Sequence, residues 1–368
     1  MDFRIELRDR DFVLQDVIEN EAMNIRWSYS RIGGCGDFSF SVPRDFDEQG
    51  NIGGFFDVRI YKRANKGTYT LLYAGEIEDR IPNKSDPDFI EVKGFGYVGQ
   101  LSSVVVNTAF YNAEISTIVT AVLDNFIVPN TDITYSAADI GTTGFTADIF
   151  EFNTTADKVM QTLAETTGSR EWGVDKNKNF FFKKRSEEMT HYYFIGNKIK
   201  SYQSIDSFRN IVNRIYIEGG EVGGTIFTYT INNVDSQNKF GLREDIIQNA
   251  SIVSATVALQ YGNAILVERS DVARRARLEI FNDETQLEAT IPLGLIVPKT
   301  AGVRYGEKEY GTFLYSGDVS YQISKIDYQL DNNQNISTTI DLGQVRPQLT
   351  EEIEQITYKL EQLRASRA

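Results

Sequence analysis

The sequence predicts a mainly β protein with α+β insertions. Its expected parts are two duplicated antiparallel β-barrels, two smaller peripheral α+β domains and a C-terminal helix. Three observations carry this reading. Period-two alternation of apolar and polar residues fills the first hundred residues and returns between Phe313 and Leu342. A strand-and-glycine pattern recurs in those two stretches, and helical spacing is confined to segments outside them. Aromatic residues make up 12% of the chain, a share that suits the packing of flat rings on pleated surfaces.

In chain order, Phe38, Phe40 and Val42 alternate with Ser39 and Ser41 until Pro43 ends the run. Val58–Lys62 and Thr68–Ile77 read as strands joined by a hairpin tip at Asn65–Lys66–Gly67. Phe89–Phe95 closes the first segment. Beyond residue 105, Ile115, Ile118, Val119, Val122, Leu123 and Phe126 fall at helical spacing. A second helix starts near Thr154, where Thr154 and Asp157 resemble a capping box, and Gly168 sits where a left-handed C-cap belongs. Trp172–Asp175 and Asn179–Lys183 then form a hairpin. Strands resume at Ile211–Glu218 and Thr225–Thr230, and a helical stretch occupies roughly Ser254 to Arg275. The expected division is 1–102, first barrel; 103–200, peripheral α+β domain; 201–235 with 305–346, second barrel; 236–304, inserted α+β domain; and 347–368, C-terminal helix.

The duplication rests on Tyr73–Ile81 laid over Tyr315–Ile323, in which Tyr, Gly and Ile coincide. In both copies a strand and a glycine follow, Glu91–Gly94 and Thr339–Gly343. At the end of the chain, Leu349, Ile353, Ile356, Leu360 and Leu363 repeat with alternating spacings of four and three. Ile at both a and d positions favours trimers or tetramers over dimers. The same stripe also fits a helix docked on its own chain, and two heptads leave both readings open.

Composition excludes several function classes. A net charge of −14 argues against sequence-independent nucleic-acid binding, which needs cations to displace phosphate counterions. One cysteine, Cys35, excludes an intramolecular disulfide. Met1–Glu6 lacks the blocks of a signal peptide, and no apolar run approaches the roughly 20 residues of a membrane helix, so cytoplasmic synthesis without a membrane anchor is expected. The single histidine, His191, lies in a ring-rich strand and reads as a packed or surface residue. Gly33–Asp37 lacks the Lys-Ser/Thr ending and following helix of a phosphate loop, and reads as a tight turn with a buried thiol. Asp331–Asn335 lacks the Gly and distal Glu of a calcium loop. Arg269, Arg274, Arg275 and Arg277 are interleaved with Glu268, Asp271 and Glu279, a pattern of helix salt bridges or a subunit contact. No catalytic constellation, metal set or cofactor site emerges.

The order of these parts resembles the baseplate hub family of tailed phages and contractile injection systems, which includes late-control-protein-D-like and tail-associated hub proteins. The stretches that carry the resemblance are Gly36–Pro43, Gly75–Ile77, Val92–Gly96, Leu163–Gly168 with Trp172–Asp175, Arg209–Gly220, and Gly317–Val319 through Asp341–Gly343. The resemblance implies barrels like those of the tail tube, two per chain. It also implies a homotrimeric ring of pseudo-six-fold symmetry between a hexameric tail tube and a trimeric spike or fibre, at the virion tail tip. Implied partners are further copies of the chain, a distal tail or tail-tube protein, a central spike or fibre protein and the tape-measure protein. The resemblance further implies that DNA crosses the channel without specific binding. The C-terminal stripe from Leu349 to Leu363 is the candidate trimer or spike interface. Rival readings are a tail-tip cell-wall hydrolase and a carbohydrate-binding host-recognition protein.

Overall fold

The computed structural model describes residues 2–19, 21–48, 52–63, 67–82, 88–167, 170–184, 189–195, 199–280, 295–300, 303–305, 308–310, 321–330 and 336–343. The first lobe contains β1 (Asp2–Arg8), β2 (Leu14–Ile18), β3 (Met23–Ser30), β4 (Ile32–Pro43), a short helix α1 (Arg44–Glu48), β5 (Asp57–Arg63), β6 (Thr70–Pro82) and β7 (Phe89–Phe95). They pair in the order β3-β4-β7-β6-β5-β1-β2, every neighbour antiparallel. Alternation decides the faces, because successive strand residues point to opposite sides. Phe38, Phe40 and Val42 are buried, as the sequence predicts.

The next module holds β8 (Val105–Glu114), α2 (Ile115–Val122), β9 (Thr134–Ile140), β10 (Thr146–Thr155), α3 (Ala156–Thr167), β11 (Arg170–Val174) and β12 (Asn179–Lys184). Ile115, Ile118, Val119 and Val122 of α2 share one core with Val159, Met160 and Leu163 of α3. Glu114 caps α2, accepting from the Ser116 amide at 2.7 Å and the Thr117 amide at 3.3 Å. At the start of α3 the Ala156 amide donates to the Val104 carbonyl. Gly168, expected as its C-cap, lies outside the described residues.

After β13 (Met189–Ile195) and β14 (Ile199–Ser207) comes a third module, made of β15 (Arg214–Val222), β16 (Thr225–Asn232), α4 (Val234–Phe240), β17 (Glu244–Gln248) and α5 (Ala255–Arg269). Its sheet, ordered β16-β15-β17, packs on α5 around Ile215, Ile217, Ile231 and Leu266. Ser254 caps α5 through the Val257 amide. The chain then contributes β18 (Ala273–Ile280), β19 (Leu295–Thr300), β20 (Val303–Tyr305), β21 (Lys308–Tyr310), β22 (Tyr321–Leu330) and β23 (Ile336–Gly343).

Two expectations change. In place of two duplicated closed barrels there is one continuous sheet, because β22 pairs with β3 from Lys325↔Ser30 to Leu330↔Ile25. Among the described residues the first lobe leaves β2 as an edge, and in the second the path back through β19 hangs on the single β13–β14 pair Ile195↔Ile199. A shared core fills both lobes, from Phe3 and Ile5 to Ile340 and Leu342. Strand membership also differs from the division expected at 201–235 and 236–304. β15 and β16 belong to the small sheet, where α5 covers their apolar face, whereas β18 and β19 join the large sheet. The arginines expected on a helix divide accordingly: Arg269 ends α5 and pairs with Asp245 at 2.7 Å, while Arg274, Arg275 and Arg277 lie on β18.

Candidate assembly surface

Within the large sheet, β14-β18-β23-β22-β3-β4-β7-β6 forms an uninterrupted antiparallel run. It divides into two four-stranded units of the same order, β3-β4-β7-β6 and β14-β18-β23-β22. A bulge fixes how they correspond. In β6 the register slips between Ile77 and Asp79, opposite Gly94 and Lys93. In β22 it slips between Ile323 and Lys325, opposite Leu342 and Asp341. Ile77 therefore matches Ile323, four residues along from the match read in the sequence. The pairing Phe38↔Gly94 then corresponds to Ala276↔Leu342. The large residue changes strand while the pair still fills the same layer. A side chain on Gly94 would not fit, since its Cβ would lie 1.9 Å from the Glu76 carbonyl oxygen of β6 and 2.7 Å from the Phe38 ring.

The units meet at β22–β3. On the core side Tyr328 stands opposite Trp27, with ring centroids 5.2 Å apart and planes at 11°. Tyr29 packs edge-on against both Tyr328 and Tyr73, and its hydroxyl donates to the Leu72 carbonyl. On the opposite face Lys325 reaches Asp327 at 2.9 Å and, across the joint, Asp37 at 3.4 Å. Burial acts to raise the Asp37 carboxyl, but the donating Ser28 hydroxyl and the Lys325 ammonium overcome it and hold the group below its ordinary range.

That second face is polar along its length. Arg277 sits 3.7 Å from Asp341, Lys93 is 3.1 Å from Glu91, and Lys200 pairs with Glu279. Desolvation raises the Asp341 carboxyl, with Asp327 adding to the effect and Arg277 opposing it. These cations are compensated within the sheet. Sequence reasoning located the strands but missed this charge ladder, whose signal was the polar half of each alternation.

The Gly33–Cys35 stretch has a role that the sequence did not reveal. Gly34, at φ +79°, brings β4 against β11, where Trp172↔Ile32, Gly173↔Gly33 and Val174↔Gly34 pair in parallel. A Cβ on Gly34 would lie 2.3 Å from the Val174 carbonyl oxygen. The motif is thus the anchor of the second module. Cys35 is fully buried, as expected, and burial pushes its thiol up to about 12, which leaves it without thiolate character at neutral pH.

His191 lies on β13. Leu349, Ile353, Ile356, Leu360 and Leu363 lie outside the described residues, as does Asp331–Asn335. Among the described residues no group of three or more His, Cys, Asp or Glu is arranged to hold a metal ion, and no helix is long and apolar enough to cross a membrane.

No known family pattern matches the sequence, and no curated protein matches it either. Solved structures do match. The 43 kDa tail protein of prophage MuSo2 from Shewanella oneidensis is similar at a TM-score of 0.65 and 15% identity, covering 94% of this chain and 99% of that one. A tail protein from Neisseria meningitidis MC58 is similar at 0.65 and 9% identity, over 94% and 97% of the two chains. The prophage tail protein gp18 from Listeria monocytogenes EGD-e is similar at 0.61 and 11% identity, over 98% and 100%. The fold is therefore that of phage tail proteins, and it extends over nearly the whole chain. This agrees with the resemblance read from the sequence.

Proposed function

We propose that this chain is a structural hub of a phage baseplate or tail tip, in which three copies form a ring around a channel. One observation carries the reading: the eight-stranded run is built from two units of the same strand order. Two units per chain give three copies six near-equivalent surfaces, the number needed to adapt a six-fold tail tube to a three-fold spike or fibre. The likeness to prophage tail proteins supports the placement in a virion tail.

In this reading the polar face lines the channel. Lys93, Arg277 and Lys325 of that face are each held by a neighbouring carboxylate, which lowers the number of cations left to trap phosphates, and DNA passes without specific binding. The work is mechanical: no cofactor is required and no catalysis is assigned. The partners are two further copies, the distal tail or tail-tube protein, the tape-measure protein and a central spike or fibre. The stripe Leu349, Ile353, Ile356, Leu360 and Leu363 is the proposed docking element for that spike or for the trimer itself. Labelling the chain in assembled tails and imaging them tests the placement. Three copies on the axis at the tail tip support it; copies on the periphery, or any other copy number, overturn it.

A further inference from the structure

The second and third modules are fastened to the large sheet at separate places, and they also touch each other. Asp148 of β10 makes the contact. Its Oδ2 accepts from the Val253 amide at 3.1 Å and its Oδ1 from the Ser254 hydroxyl at 3.2 Å, at the start of α5. A carboxylate is favoured there, because the first amides of a helix carry partial positive charge. Both sides of the contact are held in place. On the β10 side, the pairs Ala147↔Ala113 and Ile149↔Tyr111 flank Asp148, and Asn112, between their β8 partners, takes a left-handed φ of +48°. On the α5 side, the Ile252 carbonyl accepts from the Gly220 amide, and a Cβ on Gly219 would lie 2.0 Å from that same oxygen. Farther along α5, burial raises the Tyr261 hydroxyl and the Glu165 carboxylate of α3 adds to the shift, so the two helices lie side by side.

The third module joins the sheet through two short crossings, Phe208–Asn210 after β14 and Asp271–Val272 before β18. Phe208 is 61% exposed. Just beyond these crossings the module is tied to itself. Asn213, fully buried, accepts from the Arg243 amide and donates to the Gly241 carbonyl, both at 2.7 Å. The Val212 amide donates to the Arg269 carbonyl, and the Ser236 hydroxyl donates to the Ser270 carbonyl. These bonds make the module one body down to its base and leave the crossings to absorb any backbone rotation. We infer that the third module is a hinged arm, that this pair of crossings is its hinge, and that Asp148 is the latch holding it against the second module. Swinging the arm breaks both Asp148 contacts and parts α5 from α3, while β14 and β18 keep their pairing in the sheet. The arm therefore changes its reach while the β22–β3 joint stays closed. The device needs a single copy of the chain, so it is independent of the hub reading.

The test is a spin–spin distance measurement by pulsed electron resonance on the full chain. Labels are placed at Thr162→Cys on α3 and Thr228→Cys on β16, both exposed, while the native Cys35 is buried and stays unlabelled. With Asp148 in place, one narrow distance is the expected result. Asp148→Ala should add a second, longer population. Should that variant fail to fold, Ser254→Gly removes the hydroxyl donor from the other side of the contact and leaves a residue accepted at the N-cap, and the same longer population is expected. A broad distribution with Asp148 in place overturns the latch. So does an unchanged narrow distance in Asp148→Ala, or in Ser254→Gly where it stands in.

Discussion

The two four-stranded units share an order but differ in what fills them and in what they carry. In the first, aromatic Phe38 faces Gly94; in the second, Ala276 faces Leu342. In each pair the large member sits on a different strand, and Phe38, Ala276 and Leu342 are all buried in the shared core. The appended modules differ in the same orderly way. The turn between β3 and β4 is short and docks the second module from outside, through Gly33 and Gly34. At the corresponding place between β14 and β18 the chain itself leaves the sheet and builds the third module. Both units thus carry their peripheral module on the same hairpin, one by contact and one by insertion. The joint then links β3 of the first hairpin to β22, which lies outside the second.

The largest expected effect is at that joint. Trp27→Ala removes a buried ring stacked on Tyr328 and should cost about 3–5 kcal/mol of unfolding free energy, measured by chemical denaturation. Were the two units independent barrels, the loss would be confined to one; a single cooperative transition shifted as a whole is the expected outcome. Leu342→Ala should cost about 2–5 kcal/mol, and Gly94→Ala at the matched position should also destabilise, by overpacking, at about 1–3 kcal/mol. If both positions tolerated Ala equally well, the compensation between the units would be refuted.

At the anchor, Gly34→Ala meets both the Val174 carbonyl and an unfavourable φ. It should raise hydrogen exchange in β11 and β12 while β5 and β6 stay protected. A smaller, pH-dependent effect is expected at Glu114. Burial acts to raise this carboxyl, but the Ser116 and Thr143 donors outweigh it and hold the group at about 2, below its ordinary 4.5. A depressed carboxylate contributes stability above its unfolded value and loses it as pH falls. The contribution is therefore full above about pH 4.5 and fades toward pH 2. The stability gap between wild type and Glu114→Gln should close over that window, and a constant gap would contradict the assignment. The smallest effect belongs to the exposed Arg277–Asp341 pair, where Arg277→Ala should change stability by no more than about 1 kcal/mol.

Much of the fold was legible in the sequence because each signal was local. Phe38, Phe40 and Val42 marked a face by alternation, and Ile115, Ile118, Val119 and Val122 marked a helix by spacing. The association of strands was not legible. Nothing in Ile215 and Ile217 indicates whether their cover will be α5 or the large sheet, because burial selects a partner only in three dimensions. The repeat read in the sequence laid Ile81 over Ile323, whereas the bulges set Ile77 in correspondence with Ile323, and residues 311–320 of that reading lie outside the described residues. A bulge leaves no residue signature, and matching Tyr and Gly by eye placed Ile77 four positions from its counterpart. The candidate surface was the least legible part. Lys325 and Asp37 lie far apart in the chain and become neighbours only through the β22–β3 joint.

The most direct test of the central claim is a reconstruction of the tail tip computed without imposed six-fold symmetry. It should show a closed belt in which segments of the β3-β4-β7-β6 kind alternate with segments of the β14-β18-β23-β22 kind, three of each, with Lys325 and Asp341 on the channel side. A belt of six identical segments, or one with the Trp27–Tyr328 side facing the channel, would contradict it.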